Sequence, residues 1–134
     1  MTWLEVLCRY RPNVLIITAR QHTRAVLDRV RPCLVDPIHS CELPGPLRLR
    51  DTEFATLVLP NVGELDRGRQ EELLDWLDSP TRMPIVSLHA SPLFDLVVSG
   101  QFSERLYYRL NTVLLEHGDV FGITTGEYDP HSPR

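Results

Sequence analysis

Four imidazole and thiol side chains have types and spacing that suit metal or nucleophilic chemistry. His22 and His89 each follow an apolar segment, and His39 stands two residues before Cys41. Imidazole and thiolate ligate transition metals, and a thiol beside an imidazole can act as a nucleophile. No carboxylate stands where it would clearly orient these imidazoles, so ordinary packing is the favoured explanation. A metal or catalytic site at His22, His39, Cys41 and His89 is the minor hypothesis.

Three arginines are candidate phosphate contacts. Arg20 and Arg24 belong to a basic stretch, residues 20–31, in which only Asp28 is acidic, and Arg109 lies far along the chain. A basic stretch can bind a phosphate or an acidic partner, but a solvated helix face is the more frequent explanation. All 14 basic residues are arginine. This excludes a lysine-dependent phosphate grip and a Schiff-base lysine.

The elements that must position these residues alternate between strands and helices. Apolar runs predict strands at 13–18, 55–59, 85–88 and 112–115, with His39 and Cys41 on an edge strand. Periodicity and capping residues predict helices at 3–10, from Thr23 to about Arg31, from Asp66 to Leu77, at 93–98 and after Ser103. This alternation predicts an α/β fold, a three-layer parallel sheet of about five strands. His22 and His89 then follow strands at the carboxyl edge, where open sheets bind ligands.

Length and composition exclude several classes of protein. The 134 residues, 43% of them hydrophobic, suit one domain at 1–125 and a flexible tail at 126–134. The net charge of −4 argues against direct nucleic-acid binding. No apolar run approaches the roughly 20 residues of a membrane helix, and no signal peptide is evident, so we expect a cytoplasmic protein without a membrane partner. Three cysteines predict reduced thiols, with Cys8 and Cys33 as small apolar packing residues.

Three segments resemble a known family, the AAA+ ATPases that activate sigma-54 RNA polymerase. Residues 56–65, Thr-Leu-Val-Leu-Pro-Asn-Val-Gly-Glu-Leu, with Gln-Glu-Glu-Leu-Leu at 70–74, are similar to its Walker B strand and the following helix. Residues 100–111, Gly-Gln-Phe-Ser-Glu-Arg-Leu-Tyr-Tyr-Arg-Leu-Asn, resemble its G-x-F-R-x-D-L-Y-Y-R-L-N string. Residues 38–44 resemble V-N-C-x-x-L-P, with one residue missing after Cys41. The resemblance covers roughly residues 2–116. It implies a P-loop NTPase-like α/β subdomain without the helical lid that follows in the family.

The chain departs from the family at the positions that handle nucleotide. The connection at 19–23, Ala-Arg-Gln-His-Thr, has neither the glycines nor the lysine that cradle phosphates in a Walker A loop. The Walker B acids, which hold Mg²⁺, fall at Pro60 and Asn61. Of two trans-acting arginines, the first falls at Ser103 and the second is kept as Arg109. Residues 45–55 replace the long insertion that touches the sigma factor.

The residues of this short connection leave one structural question open. Leu47, Leu49 and Phe54 can form an exposed apolar edge for a partner, or they can cover the sheet. A receiver-like flavodoxin domain is a competing fold, and it too would lack its acidic cluster and phosphorylatable Asp.

The resemblance and the departures together predict an inactive AAA+-like interaction module related to sigma-54-dependent transcription. We expect no ATP hydrolysis, no ATP or Mg²⁺ cofactor, and docking on a protein partner or on a second copy. The alternative is a regulatory sensor with weak affinity for ATP or phosphate, and a third possibility is a His/Cys metal-dependent enzyme. Candidate nucleotide contacts, all at degenerate motif positions, are Arg20, His22, Thr23, Arg24, Asn61 and Arg109.

Overall fold

A computed structural model describes residues 2–50, 53–80 and 83–122 and contains one five-stranded parallel sheet. The strands stand in the order β2-β3-β4-β1-β5, and every neighbouring pair is parallel. Their bounds are β1 Val14–Ile17, β2 Ile38–Ser40, β3 Thr56–Leu59, β4 Ile85–His89 and β5 Val113–Glu116. The prediction of an α/β fold with about five parallel strands is confirmed.

Six α-helices accompany the sheet in the described residues. They are α1 Trp3–Tyr10, α2 Thr23–Val30, α3 Arg67–Leu77, α4 Phe94–Val98, α5 Glu104–Leu110 and α6 His117–Phe121. Helix α6 was not predicted, because five residues that include Gly118 give too short a pattern to read. A capping box between Glu116 and Asp119 starts it directly after β5.

Capping side chains set where the longer helices begin. Asp66 accepts a hydrogen bond from the Arg69 backbone N–H at 2.8 Å, and Ser103 accepts one from Leu106 at 3.1 Å, as the sequence predicted. The prediction for α2 was wrong, because Thr23 is its first helical residue rather than its cap. His22 holds the cap position, and its side chain makes no capping bond there.

Two apolar layers enclose the sheet and give the three-layer architecture. On one face α3, α4 and α5 bury Leu73, Leu106 and Leu110 against strand residues such as Leu57 and Ile85. The opposite face is covered by α1, α2 and α6, with these buried side chains among its contacts: Leu7, Val26, Val30 and Val120. Burial on both faces explains why the strands are continuously apolar rather than alternating.

The short connection at 45–55 covers the sheet. Leu47, Leu49 and Phe54 are buried in the layer that also holds α3. Of the two alternatives for this connection, the structure therefore favours the covering one over an exposed apolar edge.

Two of the three cysteines differ from the prediction. Cys8 and Cys33 form a disulfide that joins α1 to the segment after α2, so the expectation of reduced packing thiols was wrong for this pair. Their sequence separation of 25 residues hid the pairing, since it arises only when α1 packs beside the end of α2. Cys41 is the free thiol and is buried.

Among the described residues, no helix has both the length and the apolar character that crossing a membrane requires. The predicted tail at 126–134, and the end of the predicted domain at 125, lie outside the described residues.

Candidate functional site

The turns that follow β1 and β3 meet at the carboxyl edge of the sheet through an ion pair. Arg20 lies in a 3₁₀ turn after β1, and Glu64 lies in a second 3₁₀ turn after β3. The Arg20 guanidinium donates to Glu64 Oε1 at 2.8 Å, and both side chains are substantially exposed. The guanidinium predicted to meet a phosphate is thus already paired with a carboxylate of the same chain. We call Arg20, Gly63, Glu64 and His89 the carboxyl-edge cluster.

His89 ends β4 and is fixed by backbone rather than by another side chain. The Gly63 N–H donates to His89 Nδ1 at 3.3 Å. A Cβ at Gly63 would collide with the imidazole ring and would lie 2.8 Å from Leu96 Cδ1, so only glycine permits this approach. Burial, and secondarily the positive charge of Arg20, lower the pKa of His89 against an opposing effect of Glu64. The ring is therefore neutral at pH 7, with Nδ1 as hydrogen-bond acceptor.

Two histidines, His22 in the turn after β1 and His117 at the start of α6, lie beside each other. The ring centroid of His22 lies 4.6 Å from that of His117, and His117 lies 4.8 Å from Phe121. Thr18 Oγ1 is hydrogen-bonded to His117 Nδ1 at 2.9 Å. Sequence reasoning missed His117. Its signal was its position directly after the last strand, which pairs in register with β1 and so brings His117 beside the loop that carries His22.

The other candidates near this edge make few side-chain contacts. Thr23 is half-buried at the start of α2, while Arg24 is exposed on the same helix and forms no ion pair with any described residue. Asn61 adopts the left-handed conformation, with φ of 58°, and its side chain caps no backbone N–H of the following turn. The structure brings these positions to one edge without joining them into a set of donors.

Arg109 lies at the opposite, amino edge of the sheet. Its guanidinium donates to Asp78 Oδ1 at 2.6 Å and to the Leu77 carbonyl at 2.9 Å, at the end of α3. Its own carbonyl accepts from Asn13 Nδ2 at 2.9 Å, just before β1 begins. The hydrogen bond from Arg109 lowers the pKa of Asp78; desolvation opposes this lowering, and the positive charges of Arg105 and Arg109 add to it. Arg109 therefore does not converge with Arg20 and Arg24 on one site within this chain.

His39 and Cys41 are close together but are occupied by backbone contacts. Their Nε2 and Sγ atoms lie 3.5 Å apart, and both approach the Leu47 carbonyl, at 2.7 Å and 3.3 Å. Burial, and then the negative charge of Glu72, raise the pKa of Cys41 to about 11. The thiol is thus protonated at neutral pH, which suits neither a nucleophile nor a metal ligand.

The histidines and cysteine are not gathered into a metal site in the part of the chain that the structure describes. No group of three or more His, Cys, Asp or Glu side chains with metal-binding geometry occurs there. His22 and His89 lie at the carboxyl edge, whereas His39 and Cys41 lie on the edge strand β2 and its continuation. The minor hypothesis of a metal centre gains no geometric support.

Comparison with protein families and solved structures adds a family and a fold. The model of the Sigma-54 interaction domain matches residues 31–118. NtrX from Brucella abortus in complex with ATP is 19% identical with a TM-score of 0.68, and its ADP complex is 18% identical with a TM-score of 0.66. Each comparison covers 84% of this chain and 33% of the NtrX chain.

A further structure matches over almost its whole length. It is the P-loop NTPase domain of the Sigma-54 transport activator from E. coli, 18% identical with a TM-score of 0.61, and 84% of this chain covers 87% of that one. The present chain spans about a third of the NtrX chains that it matches. A search of curated proteins found no match. At these identities the structural likeness establishes the fold.

Proposed function

We propose a function from the premise that the chain belongs to the family of Sigma-54 interaction domains. The chain is a cytoplasmic regulatory module of sigma-54-dependent transcription. It docks on a protein partner and does not hydrolyse ATP. It uses neither ATP nor Mg²⁺ as a cofactor. The mechanism is occupancy, in which a surface of the AAA+-like α/β fold engages its partner without turnover.

One observation carries the proposal, the internal pairing of the carboxyl-edge cluster. Arg20 donates to Glu64 at 2.8 Å, in the loop where the resemblance expects a phosphate cradle. The loop at 19–23 has no glycine, so its backbone cannot approach phosphate oxygens closely, and no lysine exists to neutralise them. The charge that could attract a phosphate is offset by a carboxylate of the chain itself.

The chemistry at the end of β3 also argues against a Mg²⁺ site. Mg²⁺ is held in phosphoryl-transfer sites by carboxylates together with substrate phosphates. The two positions after Leu59 are Pro60 and Asn61, neither of which carries negative charge. The nearest carboxylate along the chain, Glu64, is paired with Arg20.

The residues that keep the family string instead support the helix pair α3 and α5. The buried side chain of Gln70 donates to the Leu65 and Gln101 carbonyls at 2.9 and 3.0 Å, and it accepts from the Ser103 N–H at 2.8 Å. Arg109 contacts the end of α3. These contacts preserve a folded scaffold, which is what a docking module requires and an ATPase also needs.

The runner-up, a weak ATP or phosphate sensor, is separable from this proposal by two variants. If Glu64 competes with a phosphate for Arg20, then Glu64→Ala would strengthen ATP binding and Arg20→Ala would abolish it. Calorimetry of ATP and ADP with Mg²⁺, together with a phosphate-release assay, measures both. We expect no heat and no turnover in the natural chain and in either variant. Saturable heat that grows in Glu64→Ala would establish the sensor instead.

The docking half of the proposal needs its own experiment. Hydrogen/deuterium exchange of the full chain is compared alone, with purified sigma-54 protein, and at rising concentration of the chain. We expect a contiguous protected surface with the sigma factor or with a second copy, independent of ATP. Unchanged exchange in both mixtures would contradict docking, whatever the nucleotide assays report.

A further inference from the structure

A basic cavity of about 390 Å³ opens beside the 45–55 connection and α3. Arg48, Arg50 and Arg69 line it, together with Glu72. Arg48 and Arg50 are exposed and form no ion pair with any described residue. Arg48 and Arg50 are two residues apart, so they place two guanidinium groups that have no ionic partner among the described residues at one cavity.

Arg69 supplies a fixed guanidinium at the same cavity. Its Nε donates to the Gly45 carbonyl at 2.8 Å and its Nη1 lies 3.4 Å from Asp66 Oδ2, which leaves the Nη2 donors without a described partner. The described charges around the cavity are therefore three guanidinium groups against the carboxylates of Asp66 and Glu72. Asp51, next along the chain, lies outside the described residues.

The backbone that presents Arg48 is anchored on both sides. Leu47 and Leu49 are buried, and the Leu47 carbonyl accepts from His39 Nε2 at 2.7 Å. Arg48 itself holds a left-handed backbone, with φ of 54°. A non-glycine residue keeps that conformation only where its surroundings determine it. The arginine is thus presented on fixed backbone, which lowers the entropy that a ligand must offset on binding.

An apolar cavity of about 440 Å³ adjoins the basic one. The two share Leu49, and the second is lined by Phe54, Trp76 and Met83. The Phe54 and Trp76 rings lie 5.7 Å apart, between centroids, and fix the shape of its wall. Basic and apolar cavities side by side suit a ligand with negative charge next to a bulky apolar group.

We propose that these two cavities, called here the arginine groove, bind an acidic segment of a partner protein in which an aromatic or aliphatic residue follows carboxylates. The carboxylates pair with Arg48, Arg50 and Arg69, and the apolar side chain enters the cavity beside Trp76. This inference deepens the proposed function and rests on its docking half. Carboxylate–guanidinium pairs then set orientation, and the apolar contact adds affinity.

A nucleic acid fits the groove less well than a protein segment. Nucleic-acid affinity needs several phosphates neutralised along a continuous basic surface. Here Glu72 lines the basic cavity, Glu53 lines the apolar one, and the chain carries a net charge of −4. Short oligothymidylate therefore serves as a contrasting probe rather than as the expected ligand.

The test measures fluorescence anisotropy of a labelled peptide that contains four Glu residues and one Phe, titrated with the full chain. The comparison peptide has Gln at every Glu position. Arg48→Glu/Arg50→Glu is the variant, and Arg24→Glu, a single charge reversal at an exposed position on the other face of the sheet, is the control. Circular dichroism and Tm establish that each variant is folded.

We expect saturable binding of the Glu peptide in low salt, weakened about tenfold or more in Arg48→Glu/Arg50→Glu and by raised salt, but not in Arg24→Glu. The Gln peptide and oligothymidylate should bind weakly or not at all. Equal binding of the Glu and Gln peptides, equal Kd in the groove variant and Arg24→Glu, or no binding at all would each overturn the inference.

Failure of this inference is distinguishable from failure of the proposed function. Peptide binding alongside ATP turnover would contradict the inactive module and leave the groove standing. Absence of peptide binding, with sigma-54 or self-association still protecting another surface from exchange, would remove the groove alone.

Discussion

Polar side chains have different surroundings in two regions of the molecule. One region is the seam between α3 and α5, and the other is the carboxyl edge of the sheet. At the seam, Gln70 is buried and makes three hydrogen bonds, and Arg109 bonds to the end of α3. At the carboxyl edge, the ion pair of Arg20 with Glu64 is exposed, and Arg24 has no described ionic partner. The residues that keep the family string thus join α3 to α5 and to the neighbouring backbone. Because the ion pair at the carboxyl edge is exposed, we expect its residues to contribute little to stability.

The first and largest effect expected from this comparison is at Gln70. Replacement by Ala removes the side-chain amide that donates to the Leu65 and Gln101 carbonyls and accepts from the Ser103 N–H. Because these groups are in a buried or half-buried setting, we expect a loss of about 4 kcal/mol in the free energy of unfolding. Urea denaturation measures it. Glu71→Ala, an exposed neighbour on the same helix, is the control and should cost less than about 0.5 kcal/mol. Similar values for both variants would break the comparison.

Gly63 tests a tightly packed point of the carboxyl edge. Gly63→Ala places a Cβ against the His89 ring, so we expect a loss of about 2 kcal/mol from overpacking. Removing the ring in Gly63→Ala/His89→Ala should restore part of that loss, since the collision is with the imidazole. A double-mutant cycle by urea denaturation measures the coupling. Additive losses would mean that the penalty arises elsewhere, such as at Leu96.

Arg109 should matter less than Gln70 but more than Arg20. Arg109→Ala removes the bond to the Leu77 carbonyl at the end of α3, and we expect a loss of about 1 kcal/mol from that bond. The effect should depend on pH. Because the pKa of Asp78 is lowered by Arg109, this pair stabilises the folded state above the ordinary carboxyl range and loses its effect as the pH falls below about 4.

Urea titrations of the natural chain and Arg109→Ala from neutral to acidic pH check the sign of that dependence. The difference between the two proteins should shrink as the pH falls. A difference that is constant with pH would show that Arg109 acts through the Leu77 carbonyl alone.

The smallest effect is expected at Arg20. Its ion pair with Glu64 is exposed, and exposed pairs contribute little after solvent screening, so Arg20→Ala should change stability by less than about 0.5 kcal/mol. Thermal unfolding at low and at high salt measures it. A loss as large as that of Arg109→Ala would show that the carboxyl edge is as structural as the seam.

Much of the fold could be predicted from the sequence because its signals are local. Apolar runs mark β1, β3, β4 and β5, and Asp66 and Ser103 cap their helices as expected. The candidate site was predictable only in part. His22 and His89 do follow strands at the carboxyl edge, but His117 was missed because its partner Thr18 is 99 residues away along the chain. Arg109 was grouped with Arg20 by motif, although the fold places the two at opposite edges.

The sequence by itself determined the order of the elements and which residue types stand at the positions that the family resemblance singles out. The absence of lysine, the glycine-free loop at 19–23 and the neutral Pro60 and Asn61 are properties of composition and position that no folding can alter. Only the tertiary structure decided which polar groups face one another. It joined Cys8 to Cys33, set Arg20 against Glu64 and left Arg48 and Arg50 without an ionic partner among the described residues. Such pairings depend on how distant elements pack, and packing of distant elements leaves no local pattern in the chain.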